Sequence, residues 1–559
     1  MKNVITSILV FTSMLVNAQT FQLVKNVNQS PDNGGLNVNC SFKEMGGKLY
    51  YIFSDQASGK KALFVSDGTT IGTNIISPSN VNVEGNIIIG GNKIYFFATD
   101  GVNGKEPWVS DGTTTGTQML KNIHATTNDL DFETSESKFL SADATKAFFI
   151  ANDGTTGAEL WVTDGTTLGT VFVSDIFQGT TGSAIEVAPS GIGTNMKNGK
   201  LYFFAVDGSG GFTVHGREPW ISDGTSAGTF MLQDIQTGFN ESNGSSNTKH
   251  FVEYNGKMYF FAAGTLGKGL WETDGTTVGT QLVYNMTIYR IDEFLVHNNL
   301  IYFTNSNGPA LYTSDGTNSG TVFIDSIPNG QLNNIATCQM VVANNSLFMR
   351  VVGNPLGKEL FMLNGSNQIV LVKDINTTVN VGGLSGNIYQ DKKIFQVYQN
   401  KLWFLASDGS QSGALQMWNS DGTNVGTVAL SPLNNDGGFA GGNGNNYNIY
   451  ATTFGMFMIY FNPTTGAELY KYDQTTGILD NISTNNAFYI YPNPTNNYIS
   501  INSNLSILNY KITNTLGQLI KSDKFTNQPI DISNLKNGIY FITMTTADSK
   551  IISQKILKE

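Results

Sequence analysis

The sequence predicts an all-β protein: a β-propeller of about nine four-stranded blades followed by a small C-terminal β-sandwich. Two observations carry this prediction. A turn of the form Asp-Gly-Thr-x-x-Gly-Thr recurs along most of the 559-residue chain, and each copy lies between short segments rich in aromatic and β-branched residues. A spacing of 41 to 59 residues between successive copies, without helical periodicity, is typical of propeller blades.

The turn is clearest from Asp164 to Thr170. The Asp side chain can accept hydrogen bonds from backbone N–H groups two residues on, and Gly adopts the positive φ that a tight reversal needs. We therefore interpret the Asp of each copy as a structural residue of the turn. Full copies begin at Asp67, Asp111, Asp164, Asp223, Asp274, Asp315 and Asp421, and degenerate copies begin at Asn364 and Asp473.

Each repeat divides into four strands, named A to D from the inner to the outer edge of the blade. In the fifth repeat they are expected at residues 251–254, 257–262, 269–273 and 280–284. Strand C carries a Trp at one position in four repeats, which favours packing between blades over an aromatic ligand cage. These residues are Trp108, Trp161, Trp220 and Trp271.

The N-terminal part of the chain offers a way to close the ring. Residues 21–27 are similar to strand D of other repeats, whereas residues 478–482, which follow the last motif, are a poorer copy. We expect residues 21–27 to be the outer strand of the last blade, whose strand C contains Glu468. This pairing would remove an exposed sheet edge.

The first residues predict export. Lys2, the apolar run from Val4 to Val16 and the small residue Ala18 indicate a signal peptide over residues 1–18. No later apolar run is long enough to span a membrane. The net charge of -11 argues against nucleic-acid binding. The expected parts are the signal peptide at 1–18, the propeller at 19–476, a linker at 477–487 and the C-terminal domain at 488–559.

The residues typical of catalysis or metal binding do not form a recognisable pattern. The four His residues are scattered, and no zinc spacing, nucleophile elbow or phosphate loop is present. Calcium binding near Asp129 and Asp131 is disfavoured because the usual loop with a distal Glu is missing. No cofactor is therefore predicted. Cys40 and Cys338 are interpreted as small buried side chains rather than as a disulfide.

A Glu also recurs at the start of strand C. A catalytic group is needed once, whereas a group present in many repeats supports each repeat, so we interpret these carboxylates as structural. They are Glu106, Glu159, Glu218, Glu359 and Glu468.

The loops narrow the search for a functional surface. In an antiparallel sheet the A–B and C–D turns lie at one end, and the B–C and D–A loops lie at the other. The longer, variable loops fall at the second end, at residues 124–136, 206–218, 235–248 and 434–446. Loops presented by a rigid scaffold often carry function. The predicted binding candidates are Phe212, His215, Arg217, Phe239 and Phe439.

Over residues 38–475 the motifs resemble the ELWxxDGTxxGT-repeat proteins of secreted bacterial origin. This resemblance implies a propeller-like array and no defined activity. The residues after about Asn485 resemble the type A C-terminal sorting domain of the type IX secretion system. The matching residues are Pro492, Asn493, Pro494, Gly517, Gly538 and Tyr540.

The second resemblance implies a Bacteroidetes-type host, the type IX secretion machinery as a partner, and passage through the outer membrane. The product would be secreted or attached to the outer cell surface. The favoured function is a non-enzymatic binding or adhesion module with an extracellular glycan or protein ligand. The alternatives are a hydrolase or lyase acting on extracellular polysaccharide, and a purely structural surface protein.

Overall fold

The computed structural model of the protein describes most of the chain. The described residues are 20–27, 41–55, 58–124, 137–180, 182–185, 195–209, 212–237, 251–286, 291–305, 310–326, 339–353, 357–377, 395–409, 416–430, 438–439, 449–462, 465–473, 488–491, 495–503, 506–515, 517–547 and 551–559. They form strands and turns but no helix, so none of them lies in a helix that could cross a membrane. The first described strand is β1 (Thr20–Lys25).

Three regular sheets follow, each with four antiparallel strands in chain order. Sheet 1 contains β2 (Phe42–Met45), β3 (Lys48–Asp55), β4 (Lys60–Ser66) and β5 (Asn74–Ile75). Sheet 2 contains β6 (Asn82–Gly90), β7 (Lys93–Thr99), β8 (Lys105–Ser110) and β9 (Gln118–Met119). Sheet 3 contains β10 (Lys138–Ala142), β11 (Ala147–Asn152), β12 (Ala158–Thr163) and β13 (Val171–Ser174).

Sheet 4 departs from this plan. Its strands are β14 (Phe177–Gln178), β15 (Met196–Lys197), β16 (Lys200–Ser209), β17 (Phe212–Ser222) and β18 (Phe230–Met231). The order is β14-β16-β17-β18, with β15 also paired to β16, and β14 runs parallel to the end of β16. β16 and β17 form a long hairpin, so the prediction of a loop at residues 206–218 was wrong for most of that segment.

Sheets 5 to 8 return to four strands in chain order. Sheet 5 contains β19 (Phe251–Tyr254), β20 (Lys257–Gly264), β21 (Gly267–Thr273) and β22 (Gln281–Asn285). Sheet 6 contains β23 (Ile291–His297), β24 (Leu300–Asn305), β25 (Ala310–Ser314) and β26 (Val322–Ser326). Sheet 7 contains β27 (Met340–Ala343), β28 (Ser346–Gly353), β29 (Gly357–Leu363) and β30 (Ile369–Lys373). Sheet 8 contains β31 (Gln396–Tyr398), β32 (Lys401–Ala406), β33 (Gln416–Ser420) and β34 (Val428–Ala429).

Sheet 9 combines the two ends of the repeat region. Its strands are β35 (Gly438–Phe439), β36 (Ile449–Thr452), β37 (Gly455–Asn462) and β38 (Gly466–Asp473), and β1 pairs with β38. The N–H of Val27 donates a hydrogen bond to Glu468 Oε1 at 3.1 Å. β1 therefore occupies the place expected for residues 21–27. The predicted linker at 477–487 lies outside the described residues.

The apolar core of these sheets lies between them. Eight buried clusters in the described residues each combine side chains of two consecutive sheets. Phe97 of sheet 2, for example, packs with Phe149 of sheet 3. Another cluster joins sheet 9 to sheet 1 and contains Val24, Phe457 and Tyr51. The predicted inter-blade Trp residues all belong to these clusters: Trp108, Trp161, Trp220 and Trp271.

Contacts separate residues Phe21–Tyr472 from a unit that contains Asp473–Glu559. The second unit contains β39 (Phe488–Tyr491), β40 (Tyr498–Ser503), β41 (Ile507–Asn514), β42 (Leu519–Lys524), β43 (Ile530–Asp531), β44 (Gly538–Thr546) and β45 (Ile551–Lys558). They form two sheets, β39-β40-β43 and β42-β41-β44-β45. Both contribute to one core, which includes Ile499, Ile512 and Ile542. This arrangement is a small β-sandwich.

The motif turn is held by its own side chains. Asp164 Oδ1 accepts hydrogen bonds from Thr166 N at 2.8 Å and Thr166 Oγ1 at 2.7 Å. Thr166 Oγ1 accepts one from Gly169 N at 3.0 Å. The same Asp–Thr pair of bonds occurs in all seven full copies. The Thr166 hydroxyl and N–H lower the pKa of Asp164, so the charged carboxylate is the form that holds the turn.

The two glycines of the turn are needed for different reasons. Gly165 has a φ of 87°, which is strained for other residues. Gly169 lacks this constraint, but a Cβ there would lie 2.1 Å from Asp164 Oδ1. The cost of replacing Gly169 therefore comes from the space taken by the Asp164 side chain and not from the backbone conformation of Gly169.

This geometry predicts that Asp164→Ala and Gly169→Ala are not additive. Asp164→Ala should lower the free energy of unfolding by about 1 kcal/mol, because a local cap is lost. Gly169→Ala should cost more in the wild-type background than in the Asp164→Ala background, where the obstructing carboxylate is gone. Denaturant unfolding of the two single variants and the double variant measures the coupling. Additive costs would show that the added methyl group does not meet Asp164.

Candidate functional site

The recurring Glu of strand C holds the corner between strand D and the next repeat. Glu159 accepts hydrogen bonds from Ile176 N at 3.2 Å, Phe177 N at 3.0 Å and Ser183 Oγ at 2.7 Å, and its side chain is buried. Equivalent carboxylates accept backbone N–H groups in the same way in four other sheets, at Glu106, Glu218, Glu359 and Glu468. Their donors belong to the fold, which agrees with a structural interpretation.

These carboxylates are nevertheless electrostatically unusual. Burial raises the pKa of Glu106, Glu159 and Glu218 to about 7. The N–H donors act in the opposite direction because they favour the ionised form. A buried Glu with a raised pKa is often catalytic. Here the same environment recurs in three consecutive sheets, so the shift belongs to the repeat.

A second recurring carboxylate lies in the B–C loop. Asp100 Oδ1 accepts hydrogen bonds from Val102 N at 2.9 Å and Asn103 N at 2.8 Å. Asp153 Oδ1 does the same with Thr155 N and Thr156 N, both at 2.8 Å. In both sheets this Asp precedes the buried Glu by six positions. Its ordinary role is therefore to cap its own short loop.

Sheet 4 uses the corresponding Asp207 differently. Asp207 precedes Glu218 by 11 positions instead of six, because β16 and β17 extend past the ends of the corresponding strands in sheets 2 and 3. The Asp207 carboxylate accepts the N–H of His215 at Oδ1, 3.0 Å away. Its Oδ2 lies 2.6 Å from His215 Nδ1. In the other two loops the Asp accepts the backbone N–H groups and short side chains that follow it directly, whereas the insertion pairs Asp207 with the ring of a His eight positions away.

This pair lies at the end of the β16–β17 hairpin and is partly exposed. The His215 side chain is 37% exposed, and that of Asp207 is 17% exposed. An Asp that accepts Nδ1–H orients the imidazole and leaves Nε2 to meet a ligand or a proton. Glu218 lies close enough for the His215 charge to lower its pKa slightly against the larger effect of burial.

The other predicted binding candidates are Arg217, Phe212, Phe439 and Phe239. Arg217 lies next to this hairpin's buried Glu and pairs with Val206 in the β16–β17 register. Phe212 begins β17, and Phe439 ends β35, but their side chains are outside the described residues. Phe239, Asp129, Asp131, Cys40 and Cys338 also lie outside them. The structure thus brings Phe212, His215 and Arg217 together on one strand and leaves the placement of the others a prediction.

Asp207 was missed by the sequence analysis. The signal was present, since aligning the B–C loops on their Asp and Glu residues isolates the insertion that carries His215. Among the described residues, no group of three or more His, Cys, Asp and Glu side chains could hold a metal ion.

In the C-terminal unit, Gly517 N donates to Asn514 O at 3.0 Å in the β41–β42 turn, and Tyr540 OH donates to Lys536 O at 2.9 Å. Gly538 begins β44. Pro492, Asn493 and Pro494 lie outside the described residues.

Residues 489–559 match the family described as the secretion system C-terminal sorting domain. This match confirms the sorting domain predicted from the sequence, and a domain of this kind implies interaction with the type IX secretion system. The protein is therefore exported, and it is secreted or attached to the outer cell surface. No curated protein matches the chain. The resemblance of the repeats to the ELWxxDGTxxGT proteins stays a prediction.

Several solved structures show a distant likeness. PorZ, a surface component of the type IX secretion system of Porphyromonas gingivalis, has 14% identity and a TM-score of 0.30, with 92% of this chain and 81% of PorZ covered. The designed protein Ika8 has 13% identity and a TM-score of 0.36, with coverages of 69% and 95%. A prolyl endopeptidase has 9% identity and a TM-score of 0.38, with coverages of 77% and 55%. These TM-scores are too low to support a functional argument.

The raised pKa values predict a pH dependence of stability. A Glu whose folded pKa is about 7, above the ordinary 4.5, stabilises the fold most below pH 4.5 and loses that contribution as the pH rises through 7. For one such carboxyl the change is about 3 kcal/mol. We expect the melting temperature to fall between pH 5 and pH 8, and Glu159→Gln to reduce that fall.

Glu272→Gln is the matched control for this experiment. Glu272 is also buried, but hydrogen bonds from Lys257, Gln281 and Tyr259 lower its pKa against the effect of burial. Its replacement should destabilise the protein without reducing the fall between pH 5 and pH 8. An equal fall in the wild type and in Glu159→Gln would contradict the prediction.

The sorting domain yields a separate prediction. A chain truncated before Tyr491 loses most of the C-terminal unit and should remain in the periplasm of a host that has the type IX system. Fractionation followed by immunoblotting measures its location, with the full chain as the control. Normal amounts of the truncated chain on the surface or in the medium would show that export does not depend on this domain.

Proposed function

We propose that residues 21–472 close into a ring of nine blades, and that this ring is a non-enzymatic binding module displayed or released outside the cell. The proposal joins two arguments. The contacts between sheets 9 and 1 support a closed ring, and the Asp207–His215 pair supports a binding surface at the end of the ring that carries the B–C and D–A loops.

Closure is supported by a seam of polar contacts beside the apolar cluster of sheets 9 and 1. The Glu44 carboxylate accepts hydrogen bonds from the backbone N–H of Thr453 at 2.8 Å and from its hydroxyl. Thr70 Oγ1 donates to Val24 O at 2.7 Å. Lys25 Nζ donates to Thr73 O at 2.6 Å. The Glu44–Thr453 bonds join residues 409 positions apart, and the other two bonds join sheet 1 to β1, which pairs with β38 of sheet 9.

The hydrogen bond from Lys25 to Thr73 has equivalents between other neighbouring sheets of the repeat region. Lys121 Nζ donates to Thr170 O at 2.9 Å, and Lys373 Nζ donates to Thr427 O at 2.8 Å. In each case the Lys follows or ends strand D of one sheet, and the Thr ends the motif turn of the next. β1 thus makes the contacts that an ordinary strand D makes with the following repeat. This likeness is the reason to treat sheets 9 and 1 as neighbours of the ordinary kind.

The binding role is supported chiefly by the β16–β17 hairpin. The corresponding Asp residues of sheets 2 and 3, Asp100 and Asp153, are occupied by donors of their own loops. In this hairpin a unique, partly exposed imidazole is instead held by the repeat carboxylate, which preorganises a donor or acceptor toward solvent. Such a group suits the hydroxyls of a glycan or the polar groups of a protein ligand.

The same pair gives the enzymatic alternative one specific argument. A His oriented by an Asp can act as a general base. A hydrolase or lyase acting on extracellular polysaccharide would use His215 in this way. Binding is preferred because the neighbouring carboxylate, Glu218, is engaged by Ile235 N and Gln236 N, both at 2.9 Å.

Ring closure predicts that β1 is essential for stability. Deleting residues 20–27 from the mature chain should lower the melting temperature and leave β38 as an open edge that promotes association. A synthetic peptide of residues 19–27 should restore the monomer and the melting temperature. A peptide with Phe21 and Val24 replaced by Ser is the control, since both side chains are buried. An unchanged melting temperature after the deletion would argue against a closed ring.

The binding role predicts that His215 affects affinity and not stability. The full chain without its signal peptide would be screened against an array of extracellular polysaccharides, and affinity for each hit measured by calorimetry. His215→Ala should weaken binding at least tenfold. His297→Ala, at the end of β23 in an A–B turn on the opposite end, should bind like the wild type.

Two results would count against this role. Equal affinity of His215→Ala and the wild type would remove the hairpin from the binding surface. Release of shortened or unsaturated sugars by the wild type but not by His215→Ala would instead establish the enzymatic alternative.

A further inference from the structure

The tips of the motif turns carry aliphatic side chains that the turn itself does not require. Ile71, Leu168, Val278 and Val425 occupy one position of the turn, and between 88% and 94% of each residue is exposed. The same position holds a polar or small residue in the other full copies, at Thr115, Ala227 and Ser319. Single exposed aliphatic residues are common on protein surfaces, but four of them at one equivalent position and one end of the sheets form a set that can act together on a partner.

These tips project from the same end of the sheets. Every full turn has the same length and the same Asp–Thr hydrogen bonds, so the tips stand at the same height above their sheets. Turns of adjacent sheets also lie side by side, because Lys93 Nζ donates to Asp164 O at 2.6 Å and Lys146 Nζ donates to Asp223 O at 2.7 Å. In the proposed ring the four aliphatic tips would be coplanar points on sheets 1, 3, 5 and 8.

Separated apolar side chains that lie in one plane suit a lipid surface better than a protein partner. A protein interface needs a contiguous apolar core, and single side chains on different blades do not supply one. A lipid surface is flat and fluid, so each tip can insert on its own and their contributions add. We propose that the turn end of the ring binds the surface of a lipid bilayer through these four tips.

The charges around the tips fit the headgroup region of such a surface. Strand B begins with a Lys in five sheets, at Lys48, Lys93, Lys200, Lys257 and Lys401, and Lys146 directly precedes strand B of sheet 3. The motif Asp residues of the same end are engaged by Thr donors. Lysines behind apolar tips are typical of interfacial anchors. Because the whole chain carries a charge of -11, the apolar tips supply the attraction, and a zwitterionic surface is the better target.

This inference rests on the proposed ring for the coplanarity of the tips, but it concerns the end opposite to the His215 hairpin. The test uses the full chain without its signal peptide and vesicles of phosphatidylcholine. The variant is Ile71→Thr, Leu168→Thr, Val278→Thr and Val425→Thr combined. Thr115 shows that the turn accepts Thr at this position, so the variant should fold and melt like the wild type.

Co-sedimentation measures the fraction bound across a range of lipid concentrations. We expect the wild type to bind and the fourfold variant to need at least a hundredfold more lipid. Val102→Ser is the matched control, because Val102 is 76% exposed in a B–C loop at the other end, and it should bind like the wild type. Failure of the wild type to bind, or equal binding by the fourfold variant, would overturn the proposal.

Sedimentation velocity without lipid tests whether this end binds a second copy of the chain instead of a lipid surface. A wild type that self-associates through the tips, and a fourfold variant that does not, would assign this end to a second copy of the chain and overturn the lipid proposal. The deletion of residues 20–27 reports separately on the ring. A stable ring without lipid binding would therefore be distinguished from a ring that never forms.

Discussion

Mutual burial of neighbouring sheets is the constraint on which the repeat region depends. Each sheet has two apolar faces, and the described clusters bury both of them against the sheets before and after it. A sheet at either end of an open array would leave one such face in water. The cluster that joins Val24 and Phe457 to Tyr51 gives the first and last sheets the same protection as the others.

The same constraint explains why the polar groups are so regular. Buried backbone groups at each corner need partners, and the recurring Glu supplies them for the N–H groups that follow strand D. The motif Asp and Thr do this for the turn at the other end. Against this background an irregular polar contact stands out. Asp207 keeps its place in the repeat but exchanges its loop donors for His215, and this change marks a site where one blade differs from its neighbours.

Features that depend on neighbours in the sequence were predictable. The turn bonds of Asp164 span two to three residues, so their chemistry can be inferred from residue types alone. The recurrence of Trp at one position of strand C likewise predicted side chains that pack between sheets. Residues 206–218 were predicted as a long B–C loop because they lie between the segments expected as strands B and C. Pairing with a partner strand overrode that expectation.

The sequence by itself determined the repeat, its turn chemistry, the strand-like N-terminal segment and the sorting domain. Each of these features depends on residues that lie close together in the chain. Only the tertiary structure decided which distant residues meet. Asp207 and His215 face each other because an insertion bends back on its own sheet. Val27 reaches Glu468, 441 positions away, because β1 pairs with β38. Such contacts depend on the packing of whole sheets, which no short segment encodes.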